Sequence, residues 1–312
     1  MSDAPPRRIA FVGVGNMGWP MAARLVGTGF DVVVFDAAPD RAARFVTEVG
    51  GAAADDVAAA VRGADAVITI LPTSRHVGES LDAMGGALAP GTLVIEMTSG
   101  APNATRGFAE ALAARGVAMI DAPVSGGVAR ARTGDLAVMI GGDARDVARA
   151  DPVLRAMGTA LTHVGAVGAG QAMKALNNLA SAGSFLIGVE AMLIGQRFGL
   201  DPAVMVEVLN ASSGMSNSSQ RKFGQFVLSR RFDAGFGLDL MVKDVSIALE
   251  VGRETATPTP FAALCRELWA SAAGLLGPGM DHTAMAQFSE RLASETLGGG
   301  NRTAGWPERD IP

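Results

Sequence analysis

The 312-residue sequence holds a single cysteine, Cys265, which excludes an intramolecular disulfide and any cysteine-rich zinc site. Histidine is nearly as scarce. The three at positions 76, 163 and 282 lack metal-ligating spacing, so no metal is expected. Lysine is scarce too: only Lys174, Lys222 and Lys243 occur among 26 basic side chains, and arginine supplies the rest. Against 31 acidic residues these leave a net charge of −5, with no long-range attraction for nucleic acid or an anionic bilayer. Long hydrophobic runs are missing as well. The most apolar long window, Leu179 to Gly195, contains Glu190 and follows Asn177-Asn178, so it reads as a buried helix and no membrane span is expected. The opening residues run straight into Ile9-Ala10-Phe11-Val12, too short an apolar stretch for a signal peptide, and a cytoplasmic location is expected.

What is present is an ordinary globular composition, 49% hydrophobic, in a chain longer than one core usually serves. In the first half, β-branched runs alternate with alanine-rich helical stretches, the pattern of βαβ units around a parallel sheet. Strands are expected at roughly 8–13, 31–36, 65–71, 92–97, 117–120, 136–140 and 160–164 and helices at 16–28, 39–49 and 101–115. After His163 the strand pattern stops. Gly165 to Gly170 opens a helical pattern that runs to about Phe198, and Asp201-Pro202 caps and starts the next helix. Further helices are expected near 218–228, 239–255, 258–274 and 281–297. The fold class is therefore α/β: a doubly wound sheet over residues 1–164, joined by a long helix to an all-α domain over 165–297, with a flexible Gly-rich tail at 298–312.

Gly13-Val14-Gly15-Asn16-Met17-Gly18 is a GxGxxG between strand and helix, where glycines permit close backbone approach to a pyrophosphate. A ligand-free glycine turn would read the same. Asp36, closing the second strand, can accept from both ribose hydroxyls and repels a 2′-phosphate, which favours NAD over NADP. It could also be a plain turn residue, and Arg41 keeps NADP in play. Asp121-Ala122-Pro123-Val124-Ser125-Gly126-Gly127 offers consecutive backbone N–H groups for a carboxylate, or is simply a strand-to-helix turn.

Lys174, Asn177 and Asn178 fall at i, i+3 and i+4, which places an ammonium and two amides on one helical face. An ammonium can surrender its proton when desolvated and a guanidinium cannot, so a lysine retained among so many arginines suits acid–base work. A solvated helix lysine is the alternative. Lys243-Asp244 is open to two readings, a contribution to the same cleft or an exposed charge pair. Lys222 reads as a surface charge, and Arg221, Lys222, Arg230 and Arg231 as a solvated face or a second anion site.

Taken in order, these segments resemble the β-hydroxyacid dehydrogenase family, most closely its 3-hydroxyisobutyrate branch, over about residues 8 to 295. The resemblance covers Gly13 to Gly18, the segment Asp121 to Gly127 continuing through Gly134-Asp135-Leu136, Gly168 to Asn178, and Lys243-Asp244. It implies a Rossmann-type nucleotide domain that binds cofactor through Gly13, Gly15, Asn16, Met17, Gly18 and Asp36. Leu71, Pro72, Thr98 and Lys243 are implied as further cofactor contacts. It implies Lys174 as the acid–base residue, Asn178 as the group that orients substrate, and Ser125, Gly126 and Gly127 as holders of its carboxylate. Glu96-Met97-Thr98-Ser99-Gly100 departs from the Asp-x-Ser-Thr-Ile common in relatives. Asn210 to Met215 is similar to the 3-hydroxyisobutyrate branch at a helix end expected over the substrate.

The expected activity is NAD-dependent oxidation of a small 3-hydroxy carboxylic acid to its semialdehyde, or the reverse, by a homodimer or homotetramer. An NADPH-preferring semialdehyde or imine reductase of the same superfamily and a non-catalytic NAD-binding protein are the alternatives. Imine reductases generally carry another residue in place of Lys174, and a 6-phosphogluconate dehydrogenase relative would need a much longer helical domain.

Overall fold

The structure, a computed structural model, describes residues 5–38 and 40–298. The chain forms two compact units, Met1–Ala175 and Leu176–Pro312.

In the first unit, strands β1 (Arg8–Val12), β2 (Asp31–Phe35), β3 (Ala52–Ala53), β4 (Ala66–Thr69), β5 (Leu93–Glu96) and β6 (Ala118–Asp121) pair in parallel in the order β3-β2-β1-β4-β5-β6. Helices α1 (Gly18–Gly27), α2 (Arg41–Glu48), α3 (Val57–Val61), α4 (Ser74–Met84) and α5 (Pro102–Ala113) lie between them in sequence. Beyond β6, the chain makes β7 (Val124–Ser125), α6 (Gly127–Thr133), β8 (Leu136–Gly141), α7 (Ala144–Arg155) and β9 (Gly158–Gly165). β8 runs antiparallel to both β6 and β7 and parallel to β9. β1 sits between β2 and β4, so the strand order reverses there, the point in open α/β sheets where ligands bind outside the strand C-termini.

The middle strands are apolar on both sides because both faces of the sheet are covered. Ile9, Phe11, Val34, Ile68 and Ile95 enter one core, while Ala10, Val12, Val67, Val94 and Met119 enter the other. The expected strands are all present. The two-residue β3 and β7 were not anticipated, since Ala52-Ala53 and Val124-Ser125 carry no alternating pattern and are strands only by pairing with β2 and β8.

Helix α8 (Ala169–Phe198) runs from the first unit into the second. It is long and apolar enough to cross a membrane by length and composition, but half of its most apolar window is buried inside the protein. The second unit continues with α9 (Pro202–Asn210), a wider π-type helix at Ser219–Leu228, α10 (Leu238–Glu254), α11 (Pro260–Leu276) and α12 (Met285–Ala293). As expected, Asp201 caps α9 by accepting the Ala203 N–H, with Pro202 at its first position. The helix expected at 281–297 is shorter than the sequence suggested. A 3₁₀ turn at His282–Ala284 precedes it, and Ser294, at φ 50°, ends it in the left-handed region. The core of this unit gathers Phe185, Phe223 and Trp269, with Phe185 5.5 Å from Phe223 and 5.9 Å from Trp269 between ring centroids. Of the tail expected at 298–312, all but Gly298 lies outside the described residues.

Candidate active site

The glycine-rich turn leaves β1 and enters α1. A Cβ on Gly13, whose φ is 98°, would fall 2.4 Å from the Ile70 carbonyl oxygen, and one on Gly18 only 1.9 Å from that of Gly13, so the tight turn admits no side chain at either position. Beside Gly15 the space is open, with Arg41 Nη1 at 3.9 Å as the nearest contact of a notional Cβ. The first turn of α1 carries no acidic residue, leaving its positive end unopposed. Val14, Gly15 and Asn16 line a cavity of about 890 Å³ together with Trp19, Arg24 and Arg41. Bare backbone, an open helix terminus and adjacent guanidinium groups fit a dinucleotide diphosphate.

Asp36 follows β2 and reaches back to this turn. Its carboxylate accepts the Val14 N–H at 2.9 Å and the Ala38 N–H at 2.8 Å, and Arg41 Nη1 lies 3.2 and 3.3 Å from its two oxygens. Asp36 is therefore tied to the glycine turn, which the alternative of an isolated turn residue does not explain. Arg41 is the nearest cation to it.

The ends of β4 and β5 are joined by the loop residues that sequence reasoning singled out. Thr98 is buried, and its Oγ1 accepts the Leu71 N–H at 2.9 Å; Pro72 follows Leu71 directly. Behind them lies a buried carboxyl pair that sequence reasoning missed. Glu96 and Asp121 are register partners at the ends of β5 and β6, 1% and 0% exposed. Asp121 accepts the Gly168 N–H at 2.7 Å and the Gln171 N–H at 2.8 Å and so caps the start of α8. Glu96 Oε1 accepts the Thr98 N–H at 2.7 Å and Oε2 accepts a hydrogen bond from Gln171 Nε2 at 2.5 Å. Burial raises the Glu96 pKa to about 8, against the pull of hydrogen bonds from Thr98 and Gln171 and with a further push from Asp121. Burial likewise raises Asp121 to about 6, opposed by the backbone donors of α8. At neutral pH Glu96 is thus uncharged and Asp121 charged, the negative charge resting where the helix donors are.

Lys174 lies on the first turns of α8 and is only 8% exposed, which removes the solvated-lysine alternative. Ser125 ends β7, and Gly126 and Gly127 follow at φ 137° and 66°, opening α6. A Cβ on Gly126 would press to 2.9 Å from two carbons of Arg130, so this turn also depends on glycine.

In the second unit Asn178, four residues beyond Lys174 on α8, is 6% exposed. It accepts from Asn177 at 3.1 Å, and its Nδ2 donates to Asp244 Oδ2 at 2.5 Å. Lys243 Nζ lies 3.1 Å from the other Asp244 oxygen. Asp244 is 1% exposed, so Lys243-Asp244 is no exposed pair: its carboxylate orients the Asn178 amide, a role not visible from spacing. Of the four basic residues read as a solvated face or second anion site, Arg221 is exposed and the other three have partners. Arg230 makes a bidentate pair with Glu290, Arg231 pairs with Asp233 at 2.9 Å, and Lys222 donates to Ser181 at 3.1 Å.

Comparison with known proteins places the chain in a family. Residues 8–165 match the family model described as the NAD binding domain of 6-phosphogluconate dehydrogenase, and residues 168–289 that of NADP-dependent 3-hydroxyisobutyrate dehydrogenase. The chain is 42% identical to a Pseudomonas aeruginosa 3-hydroxyisobutyrate dehydrogenase, over 84% of this chain and 90% of that protein. It is 33% identical to a 2-(hydroxymethyl)glutarate dehydrogenase of Eubacterium barkeri, over 94% and 98%. A solved Mycobacterium tuberculosis 3-hydroxyisobutyrate dehydrogenase with L-serine superposes with a TM-score of 0.84 at 33% identity, covering 90% of this chain and 98% of that one. A dinucleotide fold followed by this helical unit defines an NAD(P)-dependent oxidoreductase. The chain belongs to the β-hydroxyacid dehydrogenase family, whose members are NAD(P)-dependent 3-hydroxyacid dehydrogenases.

Proposed function

We propose that this protein oxidises a small acid of the form HOCH2–CH(R)–COO⁻ to its semialdehyde with NAD, Lys174 taking the hydroxyl proton. The observation that carries this reading is Lys174 itself, a buried lysine on a helix whose first turn is anchored by Asp121. When bound, nicotinamide supplies the hydride acceptor. Lys174 accepts the proton as the alcohol becomes a carbonyl; in reduction its ammonium donates to the developing oxyanion. The N–H groups around Ser125, Gly126 and Gly127 hold the carboxylate, and Asn178, oriented by Asp244, positions the substrate. Gly13, Gly15, Asn16, Met17 and Gly18 receive the diphosphate. Leu71, Pro72 and Thr98 line the cofactor's path, and Lys243 makes a further contact with it.

3-Hydroxyisobutyrate, 2-(hydroxymethyl)glutarate and serine, named in the relatives, share the primary alcohol β to a carboxylate and differ in R. The 42% identity to a 3-hydroxyisobutyrate dehydrogenase, against 33% to the 2-(hydroxymethyl)glutarate enzyme, supports a small uncharged R as in 3-hydroxyisobutyrate. Residues 1–164 act as the nucleotide domain and 165–297 as the substrate and assembly domain of a soluble cytoplasmic enzyme. A panel of 3-hydroxy acids assayed with NAD and NADP by absorbance of the reduced cofactor tests the reading. It is wrong if none is oxidised.

In that panel NAD is expected to be the more efficient cofactor. A 2′-phosphate beside the Asp36 carboxylate costs on the order of a few kcal/mol, and Arg41, the cation that would receive it, already faces Asp36. Asp36→Asn should narrow the preference. An NADP efficiency equal to that of NAD in the wild type refutes the assignment.

The same reading makes the enzyme a dimer or tetramer. Phe185, Val189 and Met192 of α8 are wholly buried, yet Ile187 and Ile194 of that helix are 59% and 70% exposed, and Phe198, Val208 and Phe261 also stand open. A second copy of the chain covering this apolar surface accounts for it. Light scattering at micromolar concentration is expected to give a multiple of 31.8 kDa, and the monomer mass would contradict assembly.

A further inference from the structure

Gln171 lies one helical turn before Lys174, is 1% exposed, and uses each polar atom of its side chain. Oε1 accepts the Gly100 N–H at 2.8 Å, and Nε2 donates to Glu96 Oε2 at 2.5 Å and to the Thr98 carbonyl at 2.6 Å. The segment it grips, residues 96–100, also holds Leu71 through Thr98 Oγ1. Capping α8 does not require these bonds, because Asp121 already takes the Gly168 and Gln171 backbone donors. A cap fixes where a helix begins; three side-chain bonds to one strand end also fix how the helix is turned about its axis. A helix with side chains is about 10–12 Å across, so turning it by about 15° moves a side-chain tip by more than about 1 Å. A misplacement of that size can cost about 10²-fold in rate when the tip carries a reacting group.

We propose that Gln171 is a positioning residue: by tying the first turn of α8 to residues 96–100, it sets the orientation of Lys174 relative to the cofactor-side loops at Leu71 and Thr98. The proposal rests on the acid–base reading of Lys174. Burial keeps Glu96 uncharged below about pH 8, so the grip is made on a neutral carboxyl and adds no second negative charge beside Asp121.

The test compares wild type with Gln171→Leu, Gln171→Glu and the exchange Glu96→Gln/Gln171→Glu, which restores the amide–carboxyl bond with its polarity reversed but not the donation to the Thr98 carbonyl. Measurements are kcat and KM on the best acid of the panel, NAD affinity by fluorescence titration, the deuterium isotope effect with acid labelled at the hydroxymethyl carbon, and the melting temperature. Gln171→Leu is expected to lower kcat by about 30- to 100-fold, to raise the isotope effect on kcat as chemistry becomes limiting, and to change NAD affinity by less than about threefold. The exchange is expected to recover at least about tenfold of the kcat lost in Gln171→Glu. A lowered melting temperature with unchanged kcat and isotope effect, measured where the variant is folded, overturns the proposal. If Gln171→Leu does not fold, failure of the near-isosteric exchange to recover kcat overturns it instead. Lys174→Arg, run in parallel, separates the two ideas. Activity retained there removes the acid–base reading, whereas an inactive Lys174→Arg beside a Gln171→Leu of wild-type rate removes only the positioning role.

Discussion

Replacing Lys174 by alanine is expected to lower turnover by roughly 10²–10⁴ while leaving NAD affinity close to that of the wild type. The magnitude follows from losing a positioned proton acceptor while the glycine turn and Asp36, which lie elsewhere in the first unit, stay intact. Lys174→Arg is the sharper variant. A guanidinium preserves positive charge and much of the length but does not release its proton near neutral pH, so it should fail almost as badly. Asn178→Ala should act differently, raising KM for the acid along with a loss in kcat, because it removes an orienting amide that Asp244 holds. If Lys174 were only a packing residue, both of its variants would change melting temperature and leave kcat alone. Steady-state kinetics with NAD titration of each variant decides the matter.

The second large effect concerns stability and pH. Glu96 has its folded pKa raised from 4.5 to about 8 by burial. Below pH 4.5 the carboxyl is protonated in both states. Between about 4.5 and 8 the unfolded chain gains from ionising Glu96 while the folded chain cannot, so stability falls as pH rises through this window and then levels off. Asp121, raised from 3.8 to about 6 by burial, contributes in the same direction over the lower part of the window. Glu96→Gln keeps an uncharged side chain of the same shape and removes the titration. Its stability relative to wild type should rise between pH 5 and pH 8 by an amount on the order of a few kcal/mol. Denaturant unfolding of the pair at both pH values checks this, and taking the difference cancels the titrating groups that do not interact with Glu96, Asp121 being the one coupled to it. A difference that stays constant with pH would mean that Glu96 is ionised in the folded protein.

Much of the candidate site was legible because its signals are local. The GxGxxG between a strand and a helix, the acidic residue closing β2, and the i, i+4 relation of Lys174 and Asn178 each depend on a handful of neighbouring residues whose geometry is set by helix and strand periods. The Asp201-Pro202 helix start is of the same kind. The anomaly at Glu96-Met97-Thr98 was also visible as a departure from the common pattern of relatives, though not its meaning.

The alternation of strands and helices and the change to an all-helical pattern after β9 could be read from the chain alone, as could the candidate groups for chemistry: a lysine retained in an arginine-rich chain, a bare glycine turn and paired amides. Which polar side chains are dry, and what they hold, depends on the folded chain. The parallel register of β5 and β6 sets Glu96 opposite Asp121, and α8 returns Gln171 to Glu96 from 75 residues away. Asp244 meets Asn178 across 66 residues, converting an ambiguous charge pair into a buried support. The short strands β3 and β7 likewise exist only because β2 and β8 offer them edges. The division has one physical cause: backbone preference and periodicity act between residues a few positions apart, whereas desolvation and the hydrogen bonds that offset it depend on distant segments that only the folded chain brings together.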